Sequence, residues 1–343
     1  TLPYEEGTKS LLGLVALAKI NDPQGTAILP HEHTMPPVVA DRLKVLKACK
    51  ANLCPVFALY PDPENRIREL LLSEMRGRSL LQVTDLEGVR HQIWRIQDLE
   101  KITTLQLSMK DKTLFIADGH HRYEAARQFR DSMRALDFSP SELKPYHYIM
   151  MRLVALEDEG LTIFPIHRLV RHIKGFDLDR LLKKLEPFFH IETFKLEERE
   201  KRVTARTLLA RWKVAPDPLH QFVMYAGQKI GYQLVLKDMK NYERVVDPAL
   251  PKALRDLSVT VLHTLIFEHI LGGREGELEV YYTKEEGKAL ELVHAGQYQL
   301  AFFLKPTRVS QVVEVATLGR PMPPKSTYFY PKPLTGLVIN KII

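Results

Sequence analysis

The side chains in this 343-residue chain that can do chemistry fall into four polar clusters. The most informative is Phe115-Ile116-Ala117-Asp118-Gly119-His120-His121-Arg122-Tyr123-Glu124-Ala125-Ala126. An apolar strand that turns at Gly119 into a helix aims several unpaired N–H groups at one spot, and the helix dipole adds positive potential there. Two imidazoles and a guanidinium stand at the same place, so Gly119, His120, His121 and Arg122 make a candidate phosphate or carboxylate pocket. Asp118 is a candidate metal ligand or histidine-orienting group. The blander reading makes Asp118 a helix cap, puts Tyr123 and Ala126 in the core and leaves the histidines in water.

The second cluster is Pro30-His31-Glu32-His33-Thr34. On an extended chain His31 and His33 face the same way and can share a metal or an anion. The pattern is not His-Glu-x-x-His, and no third ligand is evident. Glu32 is a candidate general base. The third cluster, Pro165-Ile166-His167-Arg168, is a basic pair at a strand end, a place that is often only surface. In the fourth, Met322-Pro323-Pro324-Lys325-Ser326-Thr327-Tyr328-Phe329-Tyr330-Pro331-Lys332, the run Lys325-Ser326-Thr327 looks like the tail of a phosphate-binding P-loop. Prolines replace the spaced glycines that should precede it, so a Walker site is rejected. Tyr328, Phe329 and Tyr330 read as packing rather than as a base-stacking platform. There is no Gly-x-Ser-x-Gly elbow, no Cys-x-x-Cys and no dinucleotide fingerprint. The set fits phosphate binding or phosphoryl transfer, where catalysis is positioning and charge neutralisation.

The elements that must position these groups follow from periodicity and punctuation. Leu11 to Ile20 and Gly25 to Pro30 read as a hairpin around Asn21-Asp22-Pro23-Gln24-Gly25, and a helix is expected from Asp41 until Pro55 stops the run. Val56 to Tyr60 is a buried strand, 64 to 76 an amphipathic helix, Gln82 to Ile96 a hairpin around Gly88, and Asp98 to Met109 a helix. Thr113 to Ala117 is a strand feeding a helix through Arg130, and Tyr146 to Val154 another strand. Beyond Leu161 come helices at Leu178 to Phe188 and Glu197 to Trp212, then a hairpin of Gln221 to Ala226 and Gly231 to Leu236. An apolar helix over Ser258 to Leu271 is stopped by Gly272-Gly273. Thr283 and Glu286 suggest a capping box. Gln299 to Leu304 is a strand, Val309 to Ala316 a helix and Leu337 to Ile339 a last strand. The expected class is α/β (α+β), with domains at 1–155 and 156–343 and the Lys-Ser-Thr-Tyr-Phe segment returning to the site.

Composition narrows the partners. With 45% apolar and 27% charged residues the chain is of ordinary globular type. No apolar run approaches the ~18 to 20 residues of a membrane-spanning helix. Acidic Glu5 and Glu6 argue against a secretory leader, and two cysteines, Cys49 and Cys54, give no disulfide framework. A cytoplasmic protein is expected. The net charge of +7 is spread along the chain, which speaks for a small anion and against nucleic acid.

The order of His31-Glu32-His33-Thr34, Asp41-Arg42-Leu43, Asn52-Leu53-Cys54-Pro55, Ala117-Asp118-Gly119-His120-His121-Arg122-Tyr123, Pro165-Ile166-His167-Arg168 and the Met322 to Lys332 segment resembles domain-of-unknown-function family 1015 over essentially the whole chain. Cys54 stands where that family usually has Ser. The family also has a further N-terminal stretch with Pro-Pro-Tyr-Asp, and the chain opens on Thr1, as a processed or excerpted piece would. More distantly, the strand, Asp-Gly-His-His-Arg turn and helix resemble the phosphate-binding turn of the ParB and sulfiredoxin superfamily, which includes free-serine kinases. The resemblance implies a ParB/sulfiredoxin-like mixed-sheet domain in which Gly119, His120, His121 and Arg122 hold nucleotide phosphates. His120 in place of the sulfiredoxin cysteine disfavours that chemistry.

From these readings the expected activity is a small-molecule kinase using ATP or ADP, with magnesium held by Asp118. Glu32, Asp118 and His120 are the expected catalytic groups. His31, His33, His167, Arg168, Lys325, Ser326 and Thr327 join the turn as phosphate-binding candidates. The rivals are a non-catalytic nucleotide switch of ParB type and a metal-dependent hydrolase using His31, His33 and Asp118. A homo-oligomer is compatible with either.

Overall fold

A computed structural model describes residues 8–21, 27–137, 144–196, 220–227, 229–273 and 278–342. The chain is a mixed α/β protein that divides into two compact units. Lys9–Thr162, Ala316–Pro321 and Phe329–Ile343 form the first; Ile163–Val315 and Met322–Tyr328 form the bulk of the second.

The first unit is built on β1 (Leu14–Lys19), β2 (Ile28–Leu29), α1 (Pro36–Cys49), β3 (Ala51–Asn52), β4 (Val56–Tyr60), α2 (Arg66–Glu74), β5 (Leu81–Thr84), β6 (Arg90–Ile93), α3 (Leu99–Met109), β7 (Leu114–Asp118), α4 (His120–Arg134) and β8 (Tyr148–Ala155). Its five-stranded sheet runs β1-β8-β4-β7-β2. β4 lies parallel to β8 and antiparallel to β7, so the sheet is mixed. Val56, Ala58, Ile116, Met151 and Leu153 project from one sheet face into the core, joined by Tyr123, Ala126 and Phe129 of α4. The spacing of 123, 126 and 129 is one helical stripe, which is why α4 lies flat on the sheet. α1 packs on α4.

Two expectations fail here for physical reasons. The 11–20 and 25–30 segments do not pair: β1 is antiparallel to β8 at one sheet edge, while β2 is parallel to β7 at the other. α1 begins five residues before Asp41, with Pro36 in its first turn, where a missing N–H costs nothing. It ends at left-handed Lys50, whose N–H bonds to Leu46 O at 2.9 Å, before Pro55 is reached.

In the second unit β9 (Thr162–Phe164) leads in, followed by β10 (His167–Arg171), α5 (Leu178–Leu185), β11 (Phe189–Lys195), β12 (Gln221–Tyr225), β13 (Ile230–Leu236) and α6 (Met239–Glu243). After α7 (Lys252–Arg255) and α8 (Ser258–Val261) come β14 (Glu279–Thr283), α9 (Glu286–His294), β15 (Leu300–Leu304), α10 (Val309–Thr317) and β16 (Tyr328–Tyr330), and the last strand, β17 (Asn340–Lys341), belongs to the first unit. The chain passes between units within β9, α10 and β16. A six-stranded sheet, β11-β13-β12-β15-β10-β14, is antiparallel throughout. The Ser258 to Leu271 segment is α-helical only to Val261 and continues as π-helix over Leu262–Ile270. The expected Thr283/Glu286 capping box does not form. Glu285 is the N-cap, and the Glu286 carboxylate turns to His167 Nε2 at 3.4 Å. Leu337 to Ile339 is not a strand; β17 follows it and pairs with β3 in the first unit. The expected Glu197 to Trp212 helix lies outside the described residues.

Candidate functional site

Strand β7 is a buried apolar run whose last residue, Asp118, reaches partial exposure at the strand's C-terminal end. Gly119 follows with φ +97°, a left-handed conformation that Gly adopts without steric cost. α4 then starts at His120 with no side-chain cap and no acidic residue in its first turn. The first N–H bonded within the helix is that of Tyr123, to Gly119 O at 2.9 Å. The amides of His120, His121 and Arg122 therefore have no acceptor within α4, and the positive end of its dipole opens at the turn.

Arg122 folds back beneath Gly119. A Cβ on Gly119 would stand 2.7 Å from Arg122 Nη2, so a side chain there would collide with the guanidinium. Nη1 donates to Pro55 O at 2.8 Å and to Cys54 Sγ; Nη2 donates to Asp118 Oδ2 at 2.7 Å. The other oxygen of Asp118 accepts from Lys332 Nζ, carried on the segment after β16. Two cations against one carboxylate leave a unit of positive charge at the turn, with Arg122, Asp118 and Lys332 all partly exposed.

Beside them lies a buried imidazole pair. His31 and His120 are 2% and 4% exposed, with ring centroids 4.6 Å apart at 88°. Burial holds His31 down to about 4, and it holds His120 well below the usual histidine range, with neighbouring charges adding to the effect. Both rings are therefore neutral at pH 7. His120 Nε2 accepts the His31 backbone N–H at 3.4 Å, so its proton resides on Nδ1, which faces Glu32 Oε2 at 3.6 Å. His121 Nε2 accepts the Met35 N–H at 3.1 Å, tying the turn to the start of α1.

The first two clusters thus converge within one unit, but not as the spacing implied. Glu32 sits in a bend, so the chain is not extended there; His31 is buried while His33 is exposed. His31 and His33 therefore do not share one exposed face of an extended segment, as the spacing implied. Asp118 is a poor magnesium ligand, because both its oxygens are already bonded to cations. Among the described residues no group of three or more His, Cys, Asp or Glu could hold a metal ion.

The third cluster and the Met322–Tyr328 part of the fourth sit in the second unit. His167 and Arg168 are 0% and 1% exposed. His167 faces Glu286, and Arg168 donates to Ile166 O and to Lys325 O at 2.8 Å. Burial lowers the Arg168 guanidinium to about 10. Both side chains are sealed and tie backbone together rather than meeting a ligand. Ser326 is buried, with Oγ donating to Pro323 O at 2.6 Å; Lys325 is exposed at φ +56°, and Thr327 is half-buried. Lys332 and Cys54 are the site residues that residue-type reasoning passed over. Both lie in segments singled out above, but nothing local to either shows that they meet Asp118 and Arg122.

A family model described as protein of unknown function (DUF1015) matches residues 2–260. No curated protein matches the chain. Among solved structures, a free serine kinase in complex with AMP is 12% identical with a TM-score of 0.41, covering 97% of this chain and 95% of that one. SbnI with a C-terminal truncation, from Staphylococcus aureus, is 12% identical with a TM-score of 0.43, at 95% and 87% coverage. A conserved hypothetical protein from Pyrococcus furiosus is 11% identical with a TM-score of 0.39, at 96% of each.

Proposed function

Since the chain belongs to the DUF1015 family of proteins of unknown function, a membership that names no reaction, we propose from the geometry of the turn that it is a nucleotide-binding phosphotransferase. The acceptor is a small hydroxylated metabolite. The observation that carries the reading is the uncapped start of α4 at Gly119, with Arg122 and Lys332 converging beside it on a single carboxylate. Free helix amides and two cations bind phosphate oxygens in the way phosphoryl transfer needs.

Within that reading the amides of His120, His121 and Arg122 cradle the phosphates of ATP or ADP, while Arg122 and Lys332 neutralise them. Asp118 holds the two cations in place. Glu32, aimed by the Nδ1–H of neutral His120, takes the proton of the acceptor hydroxyl. The acceptor oxygen bonds to the terminal phosphorus as the bridging P–O bond breaks, and that electron pair leaves on the nucleotide. Magnesium enters, if at all, as a companion of the nucleotide phosphates, since the residues at the turn do not form a metal site.

The full chain is expected to gain thermal stability from adenine nucleotides, and Arg122→Ala should abolish that gain while the protein stays folded. Unchanged nucleotide binding by Arg122→Ala defeats the proposal. A nucleotide-dependent change in self-association with no phosphorylated product would point instead to a non-catalytic switch.

A further inference from the structure

β8, an inner strand of the five-stranded sheet, carries one charged residue. Arg152 stands opposite Val15 of β1 on one side and Phe57 of β4 on the other. Its guanidinium rests over the Phe57 ring at 5.2 Å, and Nη1 donates to Pro331 O at 3.2 Å. Nε and Nη2 have no partner among the described residues, and no carboxylate there forms an ion pair with Arg152. Asp158, whose field reaches it, is engaged elsewhere: it pairs with Arg68 at 3.0 Å and accepts the N–H groups of Leu12 and Gly160. Burial lowers the Arg152 guanidinium to about 10. A charge withdrawn from water without a counter-ion is costly. The free Nε–Nη2 edge is the fork that holds two oxygens of one phosphate. A Cβ on Gly13 would stand 3.2 Å from Nε, so a side chain there would crowd this edge, and glycine leaves it open.

The residue lies close to the turn. Phe57 faces Arg152 on one neighbouring strand and, across a bulge, Asp118 on the other. Two strand spacings put the Arg152 and Asp118 backbones about 10 Å apart. One stretch of chain reaches both: Pro331 O accepts from Arg152, and the next residue, Lys332, donates to Asp118. Three cations, Arg122, Lys332 and Arg152, thus accompany one carboxylate. Glu32 stands at the opposite end of this row, because it follows β2, which borders β7 on the side away from β4.

Resting on the nucleotide reading above, we propose that Arg152 grips the inner phosphates of the bound nucleotide, while the terminal phosphate sits at the turn beside Glu32. The phosphate chain then runs from the turn past Phe57 toward β8. The reacting end faces the general base, and the nucleoside leaves on the β8 side.

The test is calorimetric titration of the full chain with ATP and with ADP, wild type against Arg152→Met, which fills the space without the charge. The variant should bind both nucleotides about tenfold or more weakly, and by the same factor, since both carry the inner phosphates. Without ligand it should melt no lower than the wild type, because an unpaired charge has gone. Unchanged affinity for both nucleotides overturns the proposal and leaves the nucleotide reading standing. A loss confined to ATP also overturns it, since that would put Arg152 at the terminal phosphate. So does a variant that melts lower yet binds normally, which would make Arg152 a structural residue. If the methionine variant does not fold, Arg152→Gln, which can still donate to Pro331 O, is judged by the same outcomes. A wild type that binds neither nucleotide sinks the proposed function together with this assignment.

Discussion

Substituting Gly119 by Ala tests the proposed site with the smallest change that reaches it. The backbone at φ +97° costs an L-residue about 1–2 kcal/mol. The new Cβ would also stand 2.7 to 3.0 Å from Nη2, Nε and Cζ of Arg122, so the guanidinium must move away. Moving it breaks the bonds to Asp118, Pro55 and Cys54; for partly exposed partners that adds about 1 kcal/mol. The folded state should lose about 2–3 kcal/mol, a fall in Tm of roughly 4–12 °C at ~2–4 °C per kcal/mol for a unit of this size. Binding should suffer separately. A charge-assisted hydrogen bond is worth about 1.5–3 kcal/mol, so nucleotide affinity should drop roughly 10- to 150-fold. Calorimetric titration of the folded variant with ATP and ADP measures the second effect, and a melting curve without nucleotide measures the first. A variant that melts lower yet binds nucleotide as tightly as wild type would show that Arg122 supports the turn without touching ligand. That result refutes the reasoning.

Asp118→Asn separates a counter-charge from a metal ligand: removing the carboxylate that offsets Arg122 and Lys332 should raise nucleotide affinity several-fold in titrations without magnesium, whereas a loss of affinity would mean that Asp118 itself contacts the ligand or its cation. The pH dependence of stability follows from His31, whose folded value of about 4 lies below its unfolded value near 6.5. Between those values the unfolded chain binds the extra proton, so stability is complete above pH ~6.5 and is lost as pH falls, by roughly 3 kcal/mol at pH 4. Urea midpoints from pH 7 to 4.5 should show that slope, and His31→Phe should make it shallower while buried His120 keeps part of it; a wild type with no slope removes the buried imidazoles from the account.

The sequence made the Asp-Gly-His-His-Arg turn legible because every signal there is local. An apolar run, a Gly and a polar helix start within nine residues specify a strand, a left-handed link and an uncapped helix end. The β5–β6 hairpin was legible for the same reason, with Gly88 at its tip. What escaped was whatever depends on distant pairing. β1 and β2 look like hairpin arms because turn residues lie between them, yet which strand each joins is set by β8 and β7 far along the chain. His167 and Arg168 look like an anion clamp, since side-chain type does not reveal burial; the carbonyls of Ile166 and Lys325 and the carboxylate of Glu286 claim them first. Glu286 escaped its expected capping role through the same contact.

Lys332 follows Asp118 by 214 residues, and β17 joins β3 only after that segment has come back. A ribosome making this protein completes the turn at Gly119, then synthesises nearly all of another folding unit before the turn's second cation exists. Chains not yet extended to Lys332 therefore carry a turn in which Asp118 is answered by Arg122 alone.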